Sequence, residues 1–135
     1  MADNMQTQKP LRLMFVIGTR PEAIKLAPIV RLASARPDRY EAIVITTGQH
    51  REMLDQMLVQ FQIQPLRDLN IMQPGQELCH VTSAALEGVY AAIKELEPDH
   101  VIVQGDTSTT FAGPPQGSPV LRIARRCSSR RRWTN

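Results

Sequence analysis

The feature that most constrains the fold of this 135-residue chain is the alternation of short apolar runs with longer stretches of helical periodicity. The apolar runs predict buried strands at residues 11–17, 42–46 and 100–104. The helical stretches span residues 21–35, residues 51–61 and a longer segment that ends near Leu96. Because each connection is long enough to hold a helix, the pattern predicts an α/β fold with a doubly wound, mostly parallel sheet, covered by helices on both faces.

Polar turns follow the predicted strands at residues 18–20, 47–50 and 105–107. In doubly wound sheets, ligands bind beyond the carboxyl ends of the strands. Since parallel strands bring these ends to the same side, we expect the three turns to lie along one edge of the sheet. This edge is the predicted ligand site.

The first turn offers positive charge to an anion. Gly18 permits a tight turn, and Pro21 suits the first helical position, where its missing N–H costs nothing. An anion at this point would meet unpaired N–H groups and the positive end of the helix dipole. Arg20 and Lys25 are spaced so that both side chains could reach one bound diphosphate. The alternative is that both are solvated surface charges.

Asp106 is the candidate catalytic residue, because it follows a buried strand at a position where a carboxylate can serve as general acid or base. The alternative is that Asp106 or Thr107 caps the next helix, since both residue types are favoured there. His50 could donate a hydrogen bond to a ligand, although a lone histidine at a helix start is more often structural. The sequence leaves these alternatives open.

Several functional classes are excluded by composition and by missing motifs. No apolar run approaches the roughly 20 residues of a membrane span, and the first ten residues are polar, so we expect a cytoplasmic protein. The motifs GxGxxG and GxxxxGK[ST] are absent, so neither NAD nor a Walker-type site is expected and no cofactor is predicted. Cys79 and Cys127 belong to no CxxC motif or Cys/His cluster, which predicts neither a disulfide nor a metal site. Cys79 is expected in a helix core.

The charge is divided unevenly along the chain. Residues 1–113 hold all 13 acidic residues and ten of the 16 basic ones, so their net charge is −3, whereas the six arginines of residues 114–135 give +6. An arginine-rich end can bind the phosphates of nucleic acid, but such blocks are as often merely solvated or disordered. Nucleic-acid binding is therefore the least favoured function.

Three strings, together with their order, resemble the non-hydrolysing UDP-N-acetylglucosamine 2-epimerases over residues 11–113. They are GTRPEAIK at residues 18–25, TGQHREMLDQ at 47–56 and QGDTSTTFAG at 104–113. The resemblance implies the N-terminal Rossmann-like half of a two-domain GT-B fold. It also implies interconversion of UDP-GlcNAc and UDP-ManNAc, an isomerase reaction without a redox cofactor, in which UDP is eliminated from C1 and added back.

The resemblance also assigns roles to individual residues. Arg20 and Lys25 would hold the nucleotide phosphates and stabilise the departing diphosphate. Asp106 would belong to the same substrate-binding site and would be one of several carboxylates serving the acid and base steps. In some bacterial members a second, allosteric UDP-GlcNAc binds in the region matched by Gln49, His50 and Gln76. The full-length family is expected to be homodimeric.

The chain departs from the family pattern after residue 113. Residues 114–119 are rich in proline and break any helix, and residues 122–135 are rich in arginine and serine, which suggests an altered reading frame. The expected organisation is a polar extension at 1–10, an incomplete epimerase domain at 11–113 and a disordered or out-of-frame tail at 114–135. Without the family's later carboxylates and second domain, we expect an inactive fragment. The alternative is a module that binds a sugar nucleotide without turnover.

Overall fold

The computed structural model describes residues 9–48, 51–72, 74–104 and 120–123, the last four by their backbone only. The predicted strands at residues 11–17 and 100–104 are confirmed, and the one predicted at 42–46 extends back to Tyr40. The elements in chain order are β1 (Leu11–Ile17), α1 (Arg20–Ser34), β2 (Tyr40–Thr46), α2 (Arg51–Gln60), β3 (Arg67–Asp68), α3 (Leu78–Leu96), β4 (His100–Gln104) and β5 (Val120–Ile123).

The strands of the described residues form one five-stranded sheet in the order β3-β2-β1-β4-β5, and all neighbours are parallel. β1 lies at the centre, where Ile17 pairs with Thr46 of β2 and Phe15 pairs with Ile102 of β4. The chain builds β2 and β3 outward on one side of β1, and then returns to place β4 and β5 on the other. The predicted doubly wound, parallel α/β fold is thus confirmed.

Helices cover both faces of the sheet, and alternate residues of β1 supply the two cores. Phe15 and Ile17 pack in a core with residues of α1 and α2, whereas Met14 and Val16 pack in a second core with residues of α3. None of these four side chains is more than 1% exposed. Burial on both faces explains why the strand is a continuous apolar run rather than an alternating one.

The buried residues of α3 are Val81, Ala85, Val89 and Ala92. Leu78 is 74% exposed and Leu86 is 36% exposed. Cys79 is also exposed, so its expected place in the helix core is wrong: two residues before Val81, it lies about 200° around the helix from the packed face. No helix of the described ranges is both long and apolar enough to cross a membrane.

Residues 120–123 lie within the segment that we expected to be a disordered or out-of-frame tail, and the structure describes them as a strand. Val120–Ile123 forms β5, which pairs in parallel with β4 from Val101 to Gln104. Apolar and β-branched residues favour a strand, and the backbone groups along the edge of β4 offer it hydrogen-bonding partners. The rest of the predicted tail, residues 114–119 and 124–135, lies outside the described residues.

Candidate functional site

The carboxyl ends of β1 and β4 mark the point where the order of strands reverses. These strands are neighbours, but the chain leaves β1 for β2 on one side and leaves β4 for β5 on the other. Phe15 pairs with Ile102, so Ile17 and Gln104, each two residues further on, end their strands at the same level. In doubly wound folds the ligand crevice lies at such a switch point. Asp106 follows Gln104 by two residues and lies outside the described residues.

Three helices begin at this same edge of the sheet. α1 starts at Arg20 directly after β1, α2 starts at Arg51 after β2, and α3 starts at Leu78 after β3. The amino end of each helix carries partial positive charge from the aligned peptide dipoles. The edge is therefore electrostatically suited to an anion.

The turn between β1 and α1 is held by Glu22. Thr19 is the N-cap in an extended conformation (φ −131°, ψ 160°), and its carbonyl accepts the first helical hydrogen bond from the Ala23 N–H at 3.0 Å. Glu22 Oε2 accepts hydrogen bonds from the Gly18 N–H at 2.7 Å and from the Thr19 N–H at 3.1 Å. These two donors, which precede the helix, are therefore occupied by a side chain of the same turn. The unpaired N–H groups expected at the helix start belong to the first turn of α1, and their part in binding an anion stays a prediction.

Arg20 and Lys25 are both exposed on α1. Within residues 9–48, 51–72 and 74–104, neither has an ion-pair partner. Several other arginines of the same ranges do form ion pairs, in Arg12–Glu41, Arg39–Asp38, Arg51–Asp68 and Arg67–Glu95. In the part of the chain that the structure describes, the two cations predicted to bind phosphate are thus exposed on α1 and form no ion pair with a carboxylate.

The turn after β2 is fixed by backbone bonds. The Thr47 N–H donates to the Ile17 carbonyl at 3.1 Å, and the Thr47 carbonyl accepts from the Ile71 N–H at 3.1 Å. Gly48 has φ +73°, and a Cβ on it would lie 3.2 Å from Asp68 Oδ1 and 3.3 Å from the Asn70 Cα. Only glycine fits without strain at such a position.

The predicted allosteric residues lie beside this second turn or near the start of α3. Gln49 and His50 follow Gly48 directly but are outside the described residues. Gln76 is half-buried and precedes α3, just after Gly75, which has φ +80°. The loop before it is tied to the core through Ile71, which packs against Val81 and Ala85. Whether Gln76 meets Gln49 and His50 remains a prediction.

Glu77, Cys79 and His80 come together at the start of α3, which the sequence analysis did not anticipate. Cys79 Sγ lies 3.6 Å from Glu77 Oε2 and 3.7 Å from His80 Nδ1, and all three residues are exposed. These residue types can bind a metal ion, but the positive end of the α3 dipole opposes a cation. The contacts are explained more simply as local hydrogen bonds.

A groove of about 340 Å³ lies at the opposite edge of the sheet. It is lined by the last turns of α1, by Ala42 and Val44 of β2, and by residues 61–64 after α2. Since α1 and α2 end at this edge, the groove is remote from the candidate site. We assign it no part in that site.

Glu22 lies beside the candidate site, and the sequence analysis gave it no role. It is 2% exposed and bonds to the turn that carries Arg20. The sequence did hold a signal, because Thr19 followed three residues later by Glu22 is the capping-box pattern of a helix start.

Known proteins resemble this chain in both sequence and fold. A UDP-N-acetylglucosamine 2-epimerase of Escherichia coli K12 is 54% identical over 102 residues, which is 76% of this chain and 27% of that protein. Staphylococcus aureus MnaA, solved with UDP, superposes with a TM-score of 0.71 at 48% identity, covering 76% of this chain and 26% of that one. The Neisseria meningitidis UDP-GlcNAc 2-epimerase, solved with UDP-GlcNAc, gives a TM-score of 0.69 at 43% identity, covering 76% and 28%.

The matched region corresponds to about a quarter of each relative. The sequence profile described as UDP-N-acetylglucosamine 2-epimerase matches residues 33–119, which is more than half of the chain. The solved relatives share the fold that places the Gly18–Thr19 turn and α1 at the switch point. The chain therefore belongs to the UDP-N-acetylglucosamine 2-epimerase family.

Proposed function

We propose that this chain supplies the diphosphate-binding part of a UDP-GlcNAc 2-epimerase site. The observation that carries the proposal is the placement of Arg20 and Lys25 at the start of α1, at the switch point of the sheet, without ion-pair partners among the described residues. Relatives of the same family have been solved with UDP and with UDP-GlcNAc. The proposed ligand of this chain is accordingly UDP-GlcNAc or UDP-ManNAc.

The proposed chemistry follows from charge. When UDP leaves C1 of the sugar, negative charge builds up on the diphosphate, and fixed cations at that point lower the barrier. Arg20 is suited to this role because its planar guanidinium can bind phosphate oxygens in pairs, and Lys25 adds a second positive charge. Asp106 is proposed as one of the carboxylates that move the C2 proton. Gln49, His50 and Gln76 are proposed to contact a second UDP-GlcNAc.

The 135-residue polypeptide is expected to bind the nucleotide sugar but not to convert it. Because it corresponds to about a quarter of its relatives, groups that complete the reaction in the whole protein are expected elsewhere. The proposal is therefore that this polypeptide binds the nucleotide sugar without epimerising it. Homodimer formation and a cytoplasmic location are proposed for the whole protein.

Calorimetric titration of the polypeptide with UDP and UDP-GlcNAc tests the proposal. We expect Arg20→Ala and Lys25→Ala each to raise the Kd about tenfold, as for the loss of one charge-assisted contact to phosphate. Arg31→Ala is the matched control, because Arg31 is an exposed cation in the last turn of the same helix, at the opposite edge of the sheet.

Two results would contradict the proposal. If the wild-type polypeptide binds neither nucleotide, or if Arg31→Ala weakens binding as much as Arg20→Ala does, the site is not at the start of α1. Formation of UDP-ManNAc from UDP-GlcNAc by the purified 135-residue chain would refute the expected separation of binding from turnover.

A further inference from the structure

Glu22 is the one buried carboxylate among residues 9–48, 51–72 and 74–104, and it lies in the first turn of α1. Burying an ionised group is unfavourable unless hydrogen bonds compensate. Here the compensation is specific, because one oxygen, Oε2, accepts from the Gly18 N–H at 2.7 Å and from the Thr19 N–H at 3.1 Å.

These two N–H groups are consecutive donors in a strand-to-helix turn. In many phosphate-binding loops, consecutive backbone N–H groups at such a turn contact the ligand directly. In this chain an internal carboxylate occupies them. These two N–H groups are therefore not available to a diphosphate, and Arg20, the next residue along the turn, offers it a guanidinium.

We propose that Glu22 is a positioning residue, whose carboxylate oxygen fixes the Gly18–Thr19 backbone and thereby sets the direction in which Arg20 meets the diphosphate. The inference rests on the proposed function. In this role Glu22 does not contact the substrate. The essential property of its side chain is a length that brings an acceptor oxygen to the two N–H groups, and its charge is not essential.

Two conservative variants distinguish the effect of the length of the Glu22 side chain from the effect of its charge. Glu22→Gln keeps an acceptor oxygen at the same distance from the backbone but removes the charge, whereas Glu22→Asp keeps the charge on a side chain one methylene shorter. We expect Glu22→Gln to bind UDP within about threefold of wild type, and Glu22→Asp to bind about tenfold more weakly, as Arg20→Ala does. The measurement is calorimetric titration of the full chain with UDP.

The double variant Glu22→Asp/Arg20→Ala tests whether the two residues act together. If Glu22 works through Arg20, the double variant binds no more weakly than Arg20→Ala alone. Combining Glu22→Asp with Lys25→Ala is the matched comparison, because Lys25 lies further along the helix and its loss should add to that of Glu22→Asp. Glu52→Ala is the control for removing a glutamate, since Glu52 is exposed in the first turn of α2.

Circular dichroism and the amide NMR signals of Gly18 and Thr19 accompany each titration. A merely structural role would lower the thermal midpoint of Glu22→Asp while its folded form binds UDP with wild-type affinity, and that result would overturn the inference. So would weaker binding by Glu22→Gln than by Glu22→Asp. If Arg20→Ala itself has no effect, the proposed function fails and the inference fails with it. If Arg20→Ala weakens binding but Glu22→Asp does not, only the inference fails.

Discussion

The turns after β1 and β2 lie side by side at the carboxyl edge of the sheet but are held in different ways. The Gly18–Thr19 turn is held by the side chain of Glu22, which accepts both of its backbone N–H groups. The turn at Thr47 and Gly48 is held by backbone hydrogen bonds to Ile17 and Ile71, with Gly48 at positive φ. A change in one side chain can therefore alter the conformation of the first turn, whereas the conformation of the second turn is fixed by main-chain contacts.

The largest effect is expected in the second turn. Gly48→Ala puts a Cβ at positive φ and within 3.3 Å of both Asp68 and Asn70, so we expect a loss of about 3 kcal/mol in the free energy of unfolding. Gly75→Ala is the matched control, because Gly75 has φ +80° but a Cβ added there would meet nothing within 4 Å, and the change should cost only about 1 kcal/mol. Urea unfolding measures both. Equal losses would show that crowding at Gly48 has no part in the turn.

The next effect concerns the first turn. Glu22→Ala leaves the N–H groups of Gly18 and Thr19 without their acceptor, and we expect the free energy of unfolding to fall by about 2 kcal/mol. Glu52→Ala, which removes an exposed glutamate, should change it by less than about 0.5 kcal/mol. If the two variants unfold at the same urea concentration, the carboxylate does not hold the turn.

A smaller effect is expected where a side chain assists the second turn. Arg51 lies 3.4 Å from Asp68, but its side chain is 60% exposed, so solvent screens the ion pair. We expect Arg51→Ala to cost about 0.5 kcal/mol or less, by urea unfolding. A loss as large as that of Glu22→Ala would show that the second turn also depends on a charged side chain.

The smallest effect is a pH dependence at β3. The hydrogen bond from Arg67 at 2.7 Å lowers the pKa of the Glu95 carboxyl, and the charge of Arg67 lowers it further. Because the folded pKa is depressed, this contribution to stability is present above the pKa of the unfolded chain and is lost as pH falls through the folded pKa. Glu95→Gln should therefore unfold slightly earlier in urea at neutral pH, and the difference should disappear in acid. A difference that persists in acid would exclude the ion pair as its cause.

Local patterns predicted the elements that are buried on both sides. The strand at residues 100–104 has the predicted bounds, because apolar and β-branched residues in an unbroken run have few alternatives to a buried strand. β3 had no such signal. It is a pair of charged residues, Arg67 and Asp68, whose strand geometry comes from pairing with Ile45 and Thr46.

Local sequence patterns also predicted part of the candidate site. Gly18 and Pro21 indicated a strand-to-helix turn, and the alternation of elements indicated which edge of the sheet it would occupy. The partner of the turn was not predicted, although Thr19 and Glu22 match a capping box. A pattern of that kind shows that a helix begins, but not that the carboxylate is buried.

By itself, the sequence determined the α/β fold, its parallel sheet and its family, because periodicity and motif spacing are properties of neighbouring residues. The tertiary structure decided which donors and charges remain available to a ligand. Glu22 accepts the backbone N–H groups of the first turn, whereas Arg20 and Lys25 lack ion-pair partners in the described part of the chain. The physical reason is that burial and the availability of a charge depend on how elements that are distant in sequence pack together, which local sequence patterns do not show.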